Sequence, residues 1–303
     1  MNPQYIRHNE IDFTKWDHCV QSCENHLPYC YSWYLNTVSP GWDALVFGNY
    51  EKIFPLTGKA KAQIHYLYQP YFTQQLGVFG NNLTEQDTPV FLQAIPEKFK
   101  FIEINLNTQN QFFSAEISSK NKTTYHIDLK NKYDEIYLQF NTNTKRNIKK
   151  AESHNLKLNK AENTNILIQL FKENAGKKTD LTNKNYKTLE KLIHECTENN
   201  IGHVYEVHSN ENKIESAAFI ISSKNILINL FNAVSPTGKK NGAMFFLFNE
   251  IIKANSVSNK YFDFEGSDIP EVARFYQGFG AKPALYQHIK LNRLPWPLNF
   301  FKK

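Results

Sequence analysis

Apolar residues recur along this chain with two periods, and the order in which the periods alternate predicts a mixed architecture. Near the start, Phe13 to Glu24 and Tyr29 to Thr37 carry the spacing of helices buried on one face. Strand-like runs follow. Ala44-Leu45-Val46-Phe47 and Lys52-Ile53-Phe54-Pro55-Leu56 flank the turn Gly48-Asn49-Tyr50-Glu51 and predict a hairpin, continued by Gln63 to Tyr68 and Gln75 to Phe79. A helix is expected over Glu85 to Lys98 with Thr84 as N-cap, and Phe101 to Leu106 alternates as a strand. Gln111 to Ser118 and Thr123 to Leu129 complete this half.

The same grammar then recurs. Lys145 to Ser153 reads as a helix capped by Thr142 or Thr144, and a strand begins at Leu156. Helices over Thr164 to Asn174 and Asn185 to Glu198 precede three strands, His203 to Val207, Glu215 to Ile221 and Ile226 to Ala233. Polar turns join these three, which predicts an antiparallel meander. Ala243 to Ala254 is a strongly apolar helix, Tyr261 to Glu265 a strand, Pro270 to Gln277 a helix opening on proline, and Leu285 to Leu291 a last strand. The expected fold class is therefore mixed α/β in two halves, residues 1–143 and 144–303.

Composition narrows the class. With 303 residues, 41% of them hydrophobic and 21% charged, the chain has ample material for a core and is not a disordered solvating sequence. A net charge of +6 is too diffuse for a dedicated DNA binder, which would carry a denser basic stripe. The first residues lack the apolar run of a signal peptide and no stretch reaches the length of a membrane span, so a cytoplasmic location is expected. Cys19, Cys23 and Cys30 cluster near His18 and His26, but their spacing fits no zinc motif; no metal is expected, and reduced thiols packing helices is the preferred reading. Trp296, with Phe300 and Phe301, is expected to seal the C-terminal end against the body.

Two segments carry candidate chemistry. In Asn232 to Ala243 a strand ends, Lys239, Lys240 and two glycines follow, and a long helix begins. Unpaired N–H groups at a helix start favour phosphate, and Gly242 would let the backbone approach it, so Val234, Lys239, Lys240, Asn241, Gly242 and Ala243 form a candidate donor-binding set. In Tyr261-Phe262-Asp263-Phe264-Glu265, alternation puts both phenylalanines on one face and Asp263 and Glu265 on the other, where a carboxylate could accept the proton of an attacking amine.

The meander, the basic glycine segment opening a helix, and Ala273-Arg274-Phe275-Tyr276-Gln277-Gly278-Phe279-Gly280 together resemble the GNAT acyltransferase superfamily. Lys239 stands where that family usually has glutamine or arginine, and Met244 where it has a small residue. Asn143-Thr144-Lys145-Arg146-Asn147-Ile148-Lys149-Lys150-Ala151-Glu152, Phe262-Asp263-Phe264-Glu265-Gly266 and Tyr68 to Gly77 are similar to FemAB-like proteins, which carry two tandem GNAT-like domains. The resemblance implies a cleft between the halves lined by Gln74, Gln75 and Arg146 for the acceptor, Glu265 as base, and Tyr276 as acid protonating a leaving thiolate. It implies acyl-CoA as cosubstrate and a small-molecule or peptide amine as acceptor. The Fem-type alternative is an aminoacyl group from aminoacyl-tRNA, transferred to a cell-wall precursor; no heptad-patterned helical pair like the arm of many Fem ligases is visible. A third reading is a binding protein that has lost its chemistry.

Overall fold

The computed structural model describes residues 2–112, 117–161, 163–266 and 269–296. Packing divides the chain into two compact units: one combines the segment up to Thr123 with the segment from Leu285 onward, and the other is Thr124–Ala284.

The first unit begins with β1 (Gln4–Ile6), α1 (Phe13–Ser22) and α2 (Ser32–Val38). Asp12 caps α1 by accepting the Lys15 N–H, and Trp16, Cys19 and Val20 bury one helical stripe. Then come β2 (Asp43–Phe47), β3 (Lys52–Leu56), β4 (Gly58–Lys61), β5 (Ile64–Tyr68), β6 (Phe79–Gly80), α3 (Asp87–Gln93) and β7 (Phe99–Asn105). The predicted hairpin forms: β2 and β3 are antiparallel, with Val46 opposite Ile53. Leu45, Phe54, Leu67, Phe91, Ile102 and Ile104 share the core of this unit. The strand expected over Gln75 to Phe79 reduces to β6 and one bridge from Leu76 to Leu106. Part of the Gln111 to Ser118 prediction lies outside the described residues.

Gln74 and Gln75, expected to touch an acceptor, brace a loop. Gln75 is buried, its Nε2 donates to Gln74 Oε1 at 2.7 Å and its Oε1 accepts the Thr108 N–H at 3.1 Å, while the Gln74 carbonyl accepts from Asn105 Nδ2. The three N-terminal thiols are also internal. Burial pushes the Cys19 thiol up to about 12 and the Cys30 thiol well above its ordinary value, so both stay protonated and pack as small apolar groups.

The second unit follows β8 (Ser118–Asp128) with α4 (Tyr133–Leu138), α5 (Thr142–Ser153), β9 (Lys157–Lys160), α6 (Asn165–Glu173), α7 (Asn183–Glu198), β10 (Gly202–His208), β11 (Ile214–Ser223) and β12 (Ile226–Val234). Next are α8 (Pro236–Asn241), α9 (Ala243–Ala254), β13 (Tyr261–Asp263) and α10 (Pro270–Gln277). The meander is present: β10, β11 and β12 are antiparallel neighbours. β13 then pairs parallel with β12 and antiparallel with the end of β8. Ile148, Ala218, Leu247, Phe248, Phe262, Phe264, Tyr276 and Phe279 form the core beneath α5, α9 and α10. Asn141, not Thr142 or Thr144, caps α5, accepting the Thr144 N–H at 2.8 Å.

The last strand, β14 (Lys282–Asn292), pairs antiparallel with β7, placing Ile289 beside Ile104. This is why the packing units differ from a division at 143/144: the end of β8 pairs with β13 and so belongs with the second unit, and β14 returns to β7 of the first. Trp296 is 78% exposed and seals nothing; Phe300 and Phe301 lie outside the described residues.

Candidate active site

The second unit holds a place where two neighbouring strands part. β12 and β13 are paired at Ile226–Tyr261, Leu227–Phe262 and Ile228–Asp263, and there the pairing stops, while β12 continues beside β11 to Val234. β13 leaves because Phe264 donates its N–H to the Tyr125 carbonyl at 3.0 Å and Glu265 adopts a left-handed backbone with φ of 55°. The backbone of residues 229–234 therefore has no β13 partner.

A bulge on β12 decides what faces this opening. Phe231 is opposite Phe219 and Asn229 opposite Ile220, so Leu230 is an extra residue. Residues three apart on a regular strand point to opposite faces; the extra residue returns Asn229 and Asn232 to one face, where Asn232 Nδ2 donates to Asn229 Oδ1 at 3.3 Å. Asn229 Nδ2 in turn reaches the Phe264 carbonyl at 3.4 Å, across the gap between the strands. The Tyr276 hydroxyl, on α10, hydrogen-bonds Asn232. These two asparagines were missed from the sequence. Two amides inside an otherwise apolar strand, a composition that pleated surfaces disfavour, are the signal that could have found them.

Beyond this polar row lies a cavity of about 320 Å³ between the end of β12, α8, the start of α9 and α10. It gathers Val234, Lys239, Gly242 and Tyr276 of the expected set. Val234, Met244, Phe245, Val272 and Phe275 make its wall mostly apolar, while Asn232, Glu271, Lys239 and Tyr276 supply polar groups. The remaining expected residues lie elsewhere. Lys240 is exposed on α8, Asn241 is turned onto Glu215, Ala243 is in the core, and the exposed Arg146 donates to Asn143 Oδ1 at 2.9 Å.

The basic segment is not a simple loop. Pro236–Asn241 forms the short helix α8, with Ser235 accepting the Gly238 N–H at its start and Gly242 closing it with φ of 80°. Its glycines are there for packing. A Cβ on Gly238 would meet the Glu215 carbonyl at 2.1 Å, and one on Gly242 would meet the Asn147 carbonyl of α5 at 2.5 Å.

The two carboxylates also separate. Alternation ends at Asp263, because Glu265 has left the strand. Asp263, 2% exposed, accepts from the Thr124 hydroxyl and from the Glu265 N–H, the latter at 2.8 Å, and its Oδ2 is 3.2 Å from His126 Nε2. It is an internal brace for the turn rather than a group facing an opening. Glu265 is half-buried and close enough to Tyr276 to act on its ionisation. Burial, then the charges of Glu265 and Asp263, raise the Tyr276 phenol well above its ordinary value of 10. The phenol therefore stays protonated, and its hydroxyl can still donate a hydrogen bond.

Among the described residues, no group of three or more His, Cys, Asp or Glu could hold a metal ion, and no helix is long and apolar enough to cross a membrane. No protein-family profile and no curated protein matches the sequence. Solved structures do. FemX is similar with a TM-score of 0.67 and 12% identity over 99% of each chain. The C-terminal domain of a putative lysylphosphatidylglycerol synthetase from Agrobacterium fabrum gives 0.58 and 10%, over 95% of this chain and 94% of that one. L-PGS from Bacillus licheniformis gives 0.55 and 10%, over 96% and 94%. At these identities the likeness is one of fold: the chain shares the fold of FemX and of these two proteins.

Proposed function

We propose that this protein is an acyltransferase that moves an acyl group from acyl-CoA to an amine, with the donor in the cavity between β12, α8, α9 and α10. The observation that carries the reading is the parting of β12 from β13 beside that cavity. It leaves backbone N–H groups of β12 without a strand partner where a tetrahedral oxyanion could form, and one such donor is typically worth about 2.7 to 4 kcal/mol. The Lys239 ammonium at the rim is the proposed phosphate contact, and the apolar wall would take the acyl chain. Glu265 is the proposed base. The amine attacks the thioester carbonyl, the C–N bond forms, the C–S bond breaks to release the thiolate, and the amine's proton passes to Glu265. Tyr276 and Asn232 donate hydrogen bonds to the developing charge. Arg146, exposed on α5, is a proposed acceptor contact.

Tyr276→Phe separates donation from packing. The ring remains in the core, so the melting temperature should change little, the lost hydrogen bond being worth about 1 kcal/mol. If the hydroxyl stabilises the transition state, kcat should fall by about 10- to 100-fold with KM for the donor nearly constant.

The full-length likeness to FemX favours a second reading, aminoacyl transfer from aminoacyl-tRNA. Calorimetric titration with acetyl-CoA, a long-chain acyl-CoA and charged tRNA tests both. Binding of a CoA thioester that weakens on Lys239→Ala supports the first, tight binding of charged tRNA alone supports the second, and binding of neither overturns the transferase reading.

A further inference from the structure

A second cavity, also of about 320 Å³, lies on another side of α8. Thr237 and Asn241 line it, whereas Gly238, Lys239 and Gly242 line the proposed donor cavity, so the two are separated by this helix. Its floor is set by a break in strand pairing. Val207 is opposite Ser216 but His208 is opposite Ile214, which makes Glu215 the extra residue of a bulge on β11 and re-aims its side chain.

The result is a carboxylate in an unusual position. Glu215 is 3% exposed, and both its oxygens accept from the single Nδ2 of Asn241, at 2.9 and 3.1 Å. Among the described residues it has no other side-chain hydrogen-bond partner and no cation within 4.0 Å. A carboxylate offers about four lone-pair sites, and a buried charge is ordinarily paired. Of the basic residues lining the cavity, Lys213 is bound to Glu211 at 2.6 Å on the exposed rim, and His154 stands beyond ion-pair reach of Glu215. The other walls offer Ser209, Asn210 and Thr237, all able to accept hydrogen bonds.

We infer that this cavity binds a small ligand carrying a primary ammonium group, with Glu215 as its counter-ion. The donor set selects that chemistry. Of the two carboxylates lining the cavity, Glu211 is exposed and bound to Lys213 at 2.6 Å, so Glu215 alone is left without a cation; that is too few anionic ligands for a divalent metal, and no metal-holding cluster is present among the described residues. Asn241 bridges both carboxylate oxygens and so blocks the parallel, two-point approach that a guanidinium prefers. An ammonium is a compact charge with three donors, which Glu215 and the neighbouring hydroxyls can share. The inference does not depend on the transferase reading, since it concerns binding alone.

The test is an NMR titration that follows the Asn241 side-chain amide, with n-butylammonium chloride as probe. Sodium chloride at matched ionic strength and 1-butanol, the neutral probe of similar shape, are the comparisons. The expected result is a saturating shift with n-butylammonium at about 1 to 10 mM that neither comparison reproduces. E215Q keeps an oxygen for Asn241 and should weaken the response tenfold or more, with folding checked by its melting temperature. An equal response to sodium chloride or 1-butanol, no saturation by about 100 mM, or unchanged binding by folded E215Q overturns the proposal, leaving Glu215 as an anchor for α8 only. The wild-type comparison decides the matter even if the variant does not fold.

Discussion

Glu265→Gln is expected to lower kcat by about 100-fold or more while leaving donor affinity nearly unchanged. The amide keeps the shape of the side chain and loses its basicity. The Glu265 N–H bond to Asp263 Oδ1, which holds the left-handed turn, belongs to the backbone and survives the substitution. Any change in rate therefore reports on the side chain rather than on a collapsed turn. The loss should shrink at high pH, where the acceptor arrives as the free amine and hydroxide can take the proton that its attack releases. A carboxylate with only a structural role predicts the opposite pair of results, a lower melting temperature with near-normal turnover of the folded fraction. Rate against pH and melting temperature, measured on the same variant, separate the two. Normal turnover would remove Glu265 from the mechanism and leave positioning by Asn232, Tyr276 and the β12 backbone as the source of rate.

That prediction concerns a residue whose type was legible in the sequence and whose setting was not. Long amphipathic stretches and apolar strands read correctly because burial of one face dictates their periodicity; α9 and α10 have the expected limits, and the three-strand meander follows from apolar runs joined by polar turns. Local backbone departures escaped for the converse reason. The positive φ at Glu265 and the bulges at Leu230 and Glu215 arise from pairing between distant segments, which a one-dimensional pattern does not record. Each departure re-aims a polar side chain. One splits Asp263 from Glu265, one brings Asn229 and Asn232 together, and one buries the Glu215 carboxylate. Val234, Lys239 and Gly242 were legible as part of a glycine-and-lysine segment at a helix start and Tyr276 through a resemblance in residue order; the structure gathers these four around one cavity and turns Lys240, Asn241 and Ala243 elsewhere.

Gly242→Val should unfold the protein more readily rather than chiefly weaken donor binding. Read as a phosphate-approach glycine, this position would tolerate valine with the fold intact and lose affinity by steric exclusion. The structure supplies a different reason for the glycine. Its φ of 80° strains any L-residue, a β-branched one most, and a Cβ would sit 2.5 Å from the Asn147 carbonyl, a backbone atom of α5 that has no flexible end to yield. Strain and clash together should cost about 3 kcal/mol, within the range of severe single substitutions. For a unit of this size that corresponds to a fall in melting temperature of about 6 to 12 °C. Lys239→Ala is the matched control: its side chain is exposed, so stability should hold while affinity for a phosphate-bearing donor drops by about fivefold. Thermal melts and donor titrations of both variants give a crossed result if the glycine is there for packing and the lysine for binding. A Gly242→Val protein that melts like the wild type but no longer binds donor would restore the phosphate-approach reading, and would require α5 to move away from α8 in solution.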